Sequence, residues 1–234
     1  MVLGNGLLAN GCKALKDSTD VLVFASGVSN SKETNSVEFE KEFQLLKKNL
    51  NEYPDVKLIY FSTCSIFDAS ISGSPYINHK IAMEKYIAEH CKKFLIFRLP
   101  NVIGPTTNPN TFFNFFKKKI TSGEAIYIQE TATRYLIDVR DLTELFPLMI
   151  DEKSLENKMI NVCFDNQMLV STIIELYEEH LNVQANKVLV PGGASYKIEN
   201  DEFIGFLGTK GIQQNNNYNH HILGYYLSLI EHKL

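Results

Sequence analysis

Residues 57–97 read KLIYFSTCSIFDASISGSPYINHKIAMEKYIAEHCKKFLIF, and this stretch decides the predicted fold. Lys57–Thr63 and Phe94–Phe97 are short apolar runs typical of strands. The segment between them, Pro75–Cys91, is predicted to be a helix with a proline in its first turn. Two strands joined by a helix are the unit from which parallel sheets are built. The stretch therefore predicts an α/β protein with a parallel sheet.

The flanking sequence continues this alternation of strands and helices. Val21–Ala25 (VLVFA) is apolar throughout, as expected for a strand buried on both faces, and Ser36–Glu52 has apolar residues at helical spacing. After Pro100 the pattern loosens, and it predicts helices over Thr111–Thr121, Asp141–Ile150 and Val170–Leu181, strands over Tyr135–Val139 and Met159–Val162, and a terminal helix from about His221.

Composition excludes several classes of protein. The chain has 234 residues, of which 44% are hydrophobic and 21% charged, so it has the balance of a globular protein with a sizeable core. Its net charge of −4 gives no basic field, so we expect no binding to nucleic acid or to an anionic membrane. No apolar run approaches the length of a membrane span. We expect a cytoplasmic protein, because the four cysteines are scattered and read as reduced thiols.

The sequence offers no metal site. The four cysteines lack the paired spacing of metal ligands, and no acidic or cysteine residue stands next to His220 and His221. We interpret the two histidines as a surface pair.

A glycine motif follows the first apolar run. Gly4-Asn5-Gly6-Leu7-Leu8-Ala9 matches the pattern G-x-G-x-x-A, in which the glycines allow a dinucleotide pyrophosphate to approach the backbone at a helix N-terminus. An acidic residue about 20 positions later normally binds the adenosine ribose. Asp17 and Asp20 precede the strand VLVFA, whereas ligands bind at the carboxyl ends of strands. The sequence therefore predicts a dinucleotide site without the usual ribose contact.

Tyr76-Ile-Asn-His-Lys80 is the second motif. Positions i and i+4 share a helix face, so the Lys80 ammonium is expected beside the Tyr76 phenol, where it would lower the phenol's pKa and favour acid/base chemistry. Tyr53 and Lys57 have the same spacing, but a proline lies between them. Thr63 ends a strand thirteen residues before Tyr76, and its hydroxyl is suited to bind a substrate oxygen. His79 is expected to face away from the Tyr76–Lys80 side.

Together these segments resemble the extended short-chain dehydrogenase/reductases, the group that contains nucleotide-sugar epimerases, dehydratases and reductases. The resemblance covers most of residues 1–165 and rests on six segments in the family's order, which are GNGLLA, VLVFASG, KLIYFSTCSIFD, SPYINHK, FRLPNVIGP and RYLIDVRDL. It implies NAD or NADP as cofactor, a nucleotide-sugar substrate and a homodimer formed through the Pro75–Cys91 helix region.

The resemblance also implies roles for individual residues. Thr63, Tyr76 and Lys80 would be catalytic. The cofactor-binding residues would be Gly4, Gly6, Leu7, Leu8, Ala25, Ser26 and Gly27, together with Tyr76 and Lys80. The substrate-binding residues would be Ser65, Asn101, Arg134 and Asp138.

Two departures from the family affect the cofactor half. Only about a dozen residues separate the glycine turn from VLVFA, where family members have two more strands, so we expect the sheet edge under the adenosine to be trimmed. The family also places an asparagine in the helix after VLVFASG, and Glu42 is the best match here. We therefore predict one Rossmann-like domain over residues 1–234, with a doubly wound parallel sheet trimmed at its edge after the first strand.

Within that domain, we expect residues 1–105 to hold most of the cofactor-binding core and the catalytic residues. Residues 106–234 are expected to mix further parts of the same domain with a small C-terminal substrate-binding lobe.

These patterns favour an NAD(P)-dependent oxidoreductase or epimerase acting on a nucleotide-activated keto-sugar or sugar. Two alternatives stay open. One is a non-catalytic protein of the same fold that binds a nucleotide or nucleotide sugar, which the trimmed cofactor half motivates. The other is a lyase or other non-redox enzyme that uses the Tyr–Lys pair as a base.

Overall fold

The computed structural model of the chain describes residues 1–231, with side chains as far as Leu229. The strands are β1 Val2–Leu3, β2 Val21–Phe24, β3 Lys57–Thr63, β4 Phe94–Leu99, β5 Asn101–Ile103, β6 Ile126–Gln129, β7 Thr133–Arg134, β8 Leu136–Asp138, β9 Lys158–Asn161, β10 Met168–Leu169 and β11 Lys187–Val190. The helices are α1 Leu7–Gly11, α2 Ser36–Glu52, α3 Pro75–His90, α4 Phe112–Thr121, α5 Val139–Ile150, α6 Val170–Leu181, α7 Asp201–Thr209 and α8 Tyr218–Glu231. These elements divide into two compact units.

The first unit is built on a parallel sheet and consists of Met1–Ile66, Ile71–Leu99 and Val139–Val162. Its five strands lie in the order β1-β2-β3-β4-β9, and every neighbouring pair is parallel. The α/β class and the parallel sheet predicted from the sequence are confirmed. The apolar runs form strands because their side chains are buried on both faces and their backbone groups bond to neighbouring strands.

One face of the sheet packs against α2 and α3. Leu22, Leu58 and Ile96 on the strands meet Leu46 of α2 and Ile87 of α3, and all five side chains are fully buried. Burial of an aliphatic side chain of this size contributes about 2 kcal/mol to the free energy of folding. This face is therefore the main source of cohesion between the sheet and the two helices.

The opposite face packs against α5. The ring of Phe146 stacks on Phe97 with 4.9 Å between ring centroids and lies 5.1 Å from the ring of Phe61. Helix α1 lies on this side as well, because a side chain at Gly11 would come within 2.9 Å of the hydroxyl of Thr143 on α5. The sheet is thus covered on both faces, as the Rossmann-like prediction requires.

Strand β1 is an outer strand of this sheet. It pairs with β2, and within residues 1–231 no strand pairs with its other side. The connection from β1 to β2 holds only α1 and a short turn. The trimmed edge predicted from the sequence is therefore present, and it lies beside the glycine turn.

The second unit consists of Phe67–Ser70, Pro100–Asp138 and the residues from Cys163 onward. Its strands form three pairs: β5 with β8 and β6 with β11 are parallel, and β7 with β10 is antiparallel. Its core includes Tyr177, which lies 5.6 Å from the ring of Phe113. The substrate-binding role assigned to this part of the chain stays a prediction.

The predicted elements differ from the observed ones mainly at their ends. Helix α2 has the predicted bounds, whereas α5 begins at Val139 rather than at Asp141. Strands β6 and β11 and helix α7 were not predicted from the sequence. None of the helices within residues 1–231 is both long and apolar enough to cross a membrane.

Replacing Phe146 by alanine tests the packing of α5 on the sheet. Because Phe146 is fully buried between Phe61 and Phe97, we expect Phe146→Ala to lower the free energy of unfolding by about 3–5 kcal/mol in urea denaturation. Leu148→Ala is the matched control on the same helix, because Leu148 is 43% exposed. Equal losses for the two variants would contradict this assignment of the core.

Candidate active site

The predicted catalytic residues lie at the carboxyl edge of the first unit's sheet. Thr63 is the last residue of β3, and Tyr76 and Lys80 lie on the first two turns of α3. Helix α3 starts here because the Ser74 hydroxyl accepts a hydrogen bond from the Ile77 N–H, and because Pro75 occupies the first helical position. This start puts Tyr76 within the first turn, next to the end of the strand.

The structure brings Thr63 and Tyr76 together. The Thr63 hydroxyl lies near enough to the phenol to lower the pKa of Tyr76, and the Thr63 oxygen accepts the Ser65 N–H at 3.0 Å. Because its oxygen already accepts this bond, the Thr63 hydroxyl is set to donate its own proton to the Tyr76 oxygen. Ser65 therefore acts here through its backbone, in orienting Thr63. Thr63 and Tyr76 are both buried.

The acidity of Tyr76 differs from the sequence prediction. Burial raises the pKa of Tyr76 to about 12, and the negative charge of Glu42 adds to this rise, while the hydrogen bond from Thr63 opposes it. We expected Lys80 to lower this pKa. That expectation is corrected, because the ammonium of Lys80 is engaged elsewhere.

Lys80 binds a buried carboxylate and a second tyrosine. Its Nζ lies 3.0 Å from Glu42 Oε1 and 3.0 Å from the Tyr60 hydroxyl, which itself donates to Glu42 Oε1 at 2.7 Å. Burial, followed by the charge of Glu42, keeps the pKa of Tyr60 well above its usual value, so Tyr60 stays protonated. Sequence reasoning missed Tyr60, because its contact with Lys80 depends on how α3 packs on β3.

Glu42 is saturated with hydrogen-bond donors. Besides Lys80 and Tyr60, its carboxylate accepts the Val28 N–H at 2.7 Å and lies 3.0 Å from His79 Nε2. Burial by itself raises the pKa of Glu42, but the bond to His79, the charge of Lys80 and the other donors outweigh it and lower the pKa to about 2. His79 was expected to face away from the pair, and this is wrong, because His79 and Lys80 meet at Glu42.

The glycine turn adopts the conformation that its motif predicts. Gly4 has φ +118°, a left-handed value that favours glycine, and a Cβ there would collide with the carbonyl of Ala25. Gly6 has open space where its Cβ would be. Ser26 and Gly27 are exposed at the end of β2, and Leu7 and Leu8 are partly buried. The exposed glycine backbone fits the close approach of a pyrophosphate.

The structure offers fewer contacts for the adenosine half of a dinucleotide than for its pyrophosphate. Asp17 and Asp20 lie before β2, at the edge opposite to the glycine turn, and β1 has no strand beyond it within residues 1–231. Helix α1 has only five residues. The residues present therefore fit the pyrophosphate but provide no acidic side chain from a neighbouring strand for the adenosine ribose.

The remaining predicted residues lie in the second unit. Asn101 is partly buried, and its amide donates to the carbonyl of Tyr135 at 3.1 Å. Arg134 is partly exposed and lies 3.5 Å from the carboxylate of Asp68. Their role in substrate binding stays a prediction.

Asp138 has a different position from the one expected. It is 1% exposed, and its carboxylate accepts the hydroxyl of Tyr226 on α8 at 2.7 Å. Its backbone N–H donates to the Tyr218 hydroxyl at 2.8 Å. Asp138 therefore joins β8 to the last helix, and we replace its predicted substrate contact with a structural role.

Known proteins share this fold at low sequence identity. UDP-N-acetylglucosamine 4-epimerase from Methanobrevibacter ruminantium, solved in complex with UDP-N-acetylmuramic acid, has 17% identity and a TM-score of 0.70 over 98% of this chain and 82% of its own. UDP-glucose 4-epimerase from Thermus thermophilus, in complex with NAD, has 17% identity and a TM-score of 0.71 over 96% and 83%. RMD from Pseudomonas aeruginosa, complexed with NADPH, has 14% identity and a TM-score of 0.70 over 99% and 88%.

No curated protein sequence matches the chain. A family model does: the model of the NAD dependent epimerase/dehydratase family matches residues 12–163. The match includes the end of β3, the start of α3 and the Arg134 segment. The chain belongs to the NAD dependent epimerase/dehydratase family.

Proposed function

We propose that this protein is an NAD(P)-dependent oxidoreductase or epimerase that acts on a nucleotide-activated sugar, at a carbon bearing a hydroxyl or a ketone. One observation carries the proposal. The Tyr76 phenol lies beside the Thr63 hydroxyl at the carboxyl edge of the sheet, one helical turn from Lys80 and on the same edge as the exposed glycine turn. A phenol held in this way is suited to exchange a proton with a sugar hydroxyl.

Each residue of the trio has a distinct task in the proposed reaction. Tyr76 gives a proton to the sugar oxygen or takes one from it. Thr63 donates its one hydroxyl proton towards the phenol oxygen in the absence of substrate, and it donates the same proton to the substrate oxygen when substrate is bound. Lys80 lies one helical turn from Tyr76 and is held in place by its ion pair with Glu42. The nicotinamide ring, when bound, supplies the acceptor or donor of hydride.

Support for the cofactor comes from the glycine turn and from related proteins. Gly4, Gly6 and Gly27 leave backbone exposed on the edge where Thr63 lies, and proteins of the same fold were solved with NAD or NADPH. Support for a nucleotide sugar comes from the family and from a structural relative solved with UDP-N-acetylmuramic acid. Asn101 and Arg134 are the residues that we propose to bind this substrate, and a homodimer through α3 stays a prediction.

A second function is favoured by the trimmed edge. Because β1 is an outer strand and residues 25–32, which directly follow β2, include no acidic residue, we keep as a second candidate a protein that binds a nucleotide or nucleotide sugar without redox chemistry. Calorimetric titration distinguishes the two functions. Saturable binding of NADH or NADPH supports the enzyme, whereas binding of UDP-sugars with no binding of either dinucleotide supports the non-catalytic protein.

Replacing Tyr76 by phenylalanine tests the proposed acid/base role. Because the phenol proton is lost while the ring stays, we expect Tyr76→Phe to lower kcat/KM about 10²- to 10⁴-fold with nucleotide 4-keto sugars, followed by nicotinamide absorbance. Tyr53→Phe is the control, because Tyr53 is the tyrosine of the second Y-x-x-x-K match and its hydroxyl bonds to Glu52 at the surface. Full turnover by Tyr76→Phe would refute the mechanism.

Replacing Gly6 by alanine tests the dinucleotide site. Nothing lies within 4 Å of a Cβ at Gly6, so we expect an unchanged free energy of unfolding, within about 0.5 kcal/mol. The added methyl group would occupy space that the pyrophosphate needs, so the affinity for NADH should fall about tenfold or more. Gly205→Ala on α7 is the control, because the space around its Cβ is equally open. Unchanged NADH binding by Gly6→Ala would place the cofactor elsewhere.

A further inference from the structure

The carboxylate of Glu42 joins three separate parts of the first unit. It accepts hydrogen bonds from the backbone N–H of Val28, after β2, and from the hydroxyl of Tyr60 on β3. It also binds His79 Nε2 and Lys80 Nζ, both on α3. Its side chain is 1% exposed. A buried carboxylate with four donors has each oxygen satisfied, so it is fixed in position and ionised.

Glu42 determines where the Lys80 ammonium lies. The Lys80 side chain is 3% exposed, and its Nζ is held between Glu42 Oε1 and the Tyr60 hydroxyl. A side chain at Gly27 would come within 2.9 Å of this nitrogen, so the ammonium lies directly beneath the exposed backbone of Gly27. Separating the ammonium from Glu42 would leave two unpaired buried charges, which is strongly unfavourable.

We propose that Glu42 is a positioning residue of the active site: its carboxylate fixes Lys80 beneath Gly27, one helical turn from Tyr76, as one half of an ion pair rather than as a free positive charge. The proposal rests on the proposed function, because it assigns a task to the pair next to the acid/base residue. It concerns Glu42, which acts through Lys80 and touches neither Tyr76 nor a substrate.

The proposal has a direct consequence for Tyr76. Burial is the largest cause of the raised pKa of Tyr76; among its neighbours, the Thr63 hydroxyl lowers this pKa and the negative charge of Glu42 raises it. If Glu42 cancels most of the charge of Lys80, removing the charge of Glu42 alone makes the phenol more acidic. Removing both charges leaves the phenol close to its original acidity, because an ion pair and a neutral pair have the same net charge.

Difference titration of the phenolate tests this consequence without cofactor or substrate. The ultraviolet absorbance of each protein is compared with that of the same protein carrying Tyr76→Phe, so that only Tyr76 contributes. For Glu42→Gln we expect the ionised fraction of Tyr76 at about pH 10.5 to rise about tenfold over the wild type, since removal of a nearby negative charge shifts a pKa by about one unit. Glu38→Gln is the matched control, because Glu38 lies one turn earlier on α2 and pairs at the surface with Lys41.

A double variant keeps the test decisive if Glu42→Gln leaves Lys80 uncompensated and unfolds. Glu42→Gln with Lys80→Met removes both buried charges, and we expect its Tyr76 to ionise as in the wild type. An ionised fraction about tenfold lower than in the wild type would show that Lys80 acts as a free charge and would overturn the proposal. A folded Glu42→Gln protein with an unchanged Tyr76 titration would also overturn it. The titration of Tyr76 needs no turnover, so it can be measured even in a protein that is inactive. Failure of the proposed function is therefore distinguishable from failure of this proposal.

Discussion

The parallel pairing of β2 with β3 is the constraint on which the rest of the first unit depends. Both strands are buried on both faces, so their backbone groups must bond to each other, and the register pairs Val23 with Ile59 and Phe24 with Tyr60. This register brings the end of β2 and the end of β3 to one edge. Gly27 and Thr63, which are far apart in the sequence, therefore belong to the same edge of the sheet.

The buried ion pair beneath that edge modifies the chemistry expected from the Tyr–Lys motif. A lysine one helical turn from a tyrosine favours the phenolate only if its charge is free. Here the ammonium of Lys80 lies against the carboxylate of Glu42, and burial dominates the acidity of Tyr76. The motif therefore places Tyr76 and Lys80 one helical turn apart. The packing of α2 against α3 brings Glu42 to Lys80 and so determines which charges act on the phenol.

The strands and helices near the site were predicted well from the sequence, and the side-chain contacts less well. Alternation of apolar runs is a local property, so α2, β3 and the start of α3 were predicted close to their observed bounds. The sequence placed Thr63 at the end of β3 and Tyr76 in the first turn of α3, and both positions are confirmed. The partners of Lys80 did not follow, because Glu42 and Tyr60 reach it from two other elements. Asp138 was misassigned for the same reason, since its partner Tyr226 lies 88 residues later.

The sequence by itself determined the α/β class, the trimmed sheet edge and the glycine turn, and it is the source of the predicted trio Thr63, Tyr76 and Lys80. These features depend on residue order and spacing, which are written in the chain. Only the tertiary structure decided that Lys80 pairs with Glu42 and that Asp138 is buried and hydrogen-bonded to Tyr226. The physical reason is that charge and burial depend on which residues surround a group in space, and those residues come from distant parts of the chain.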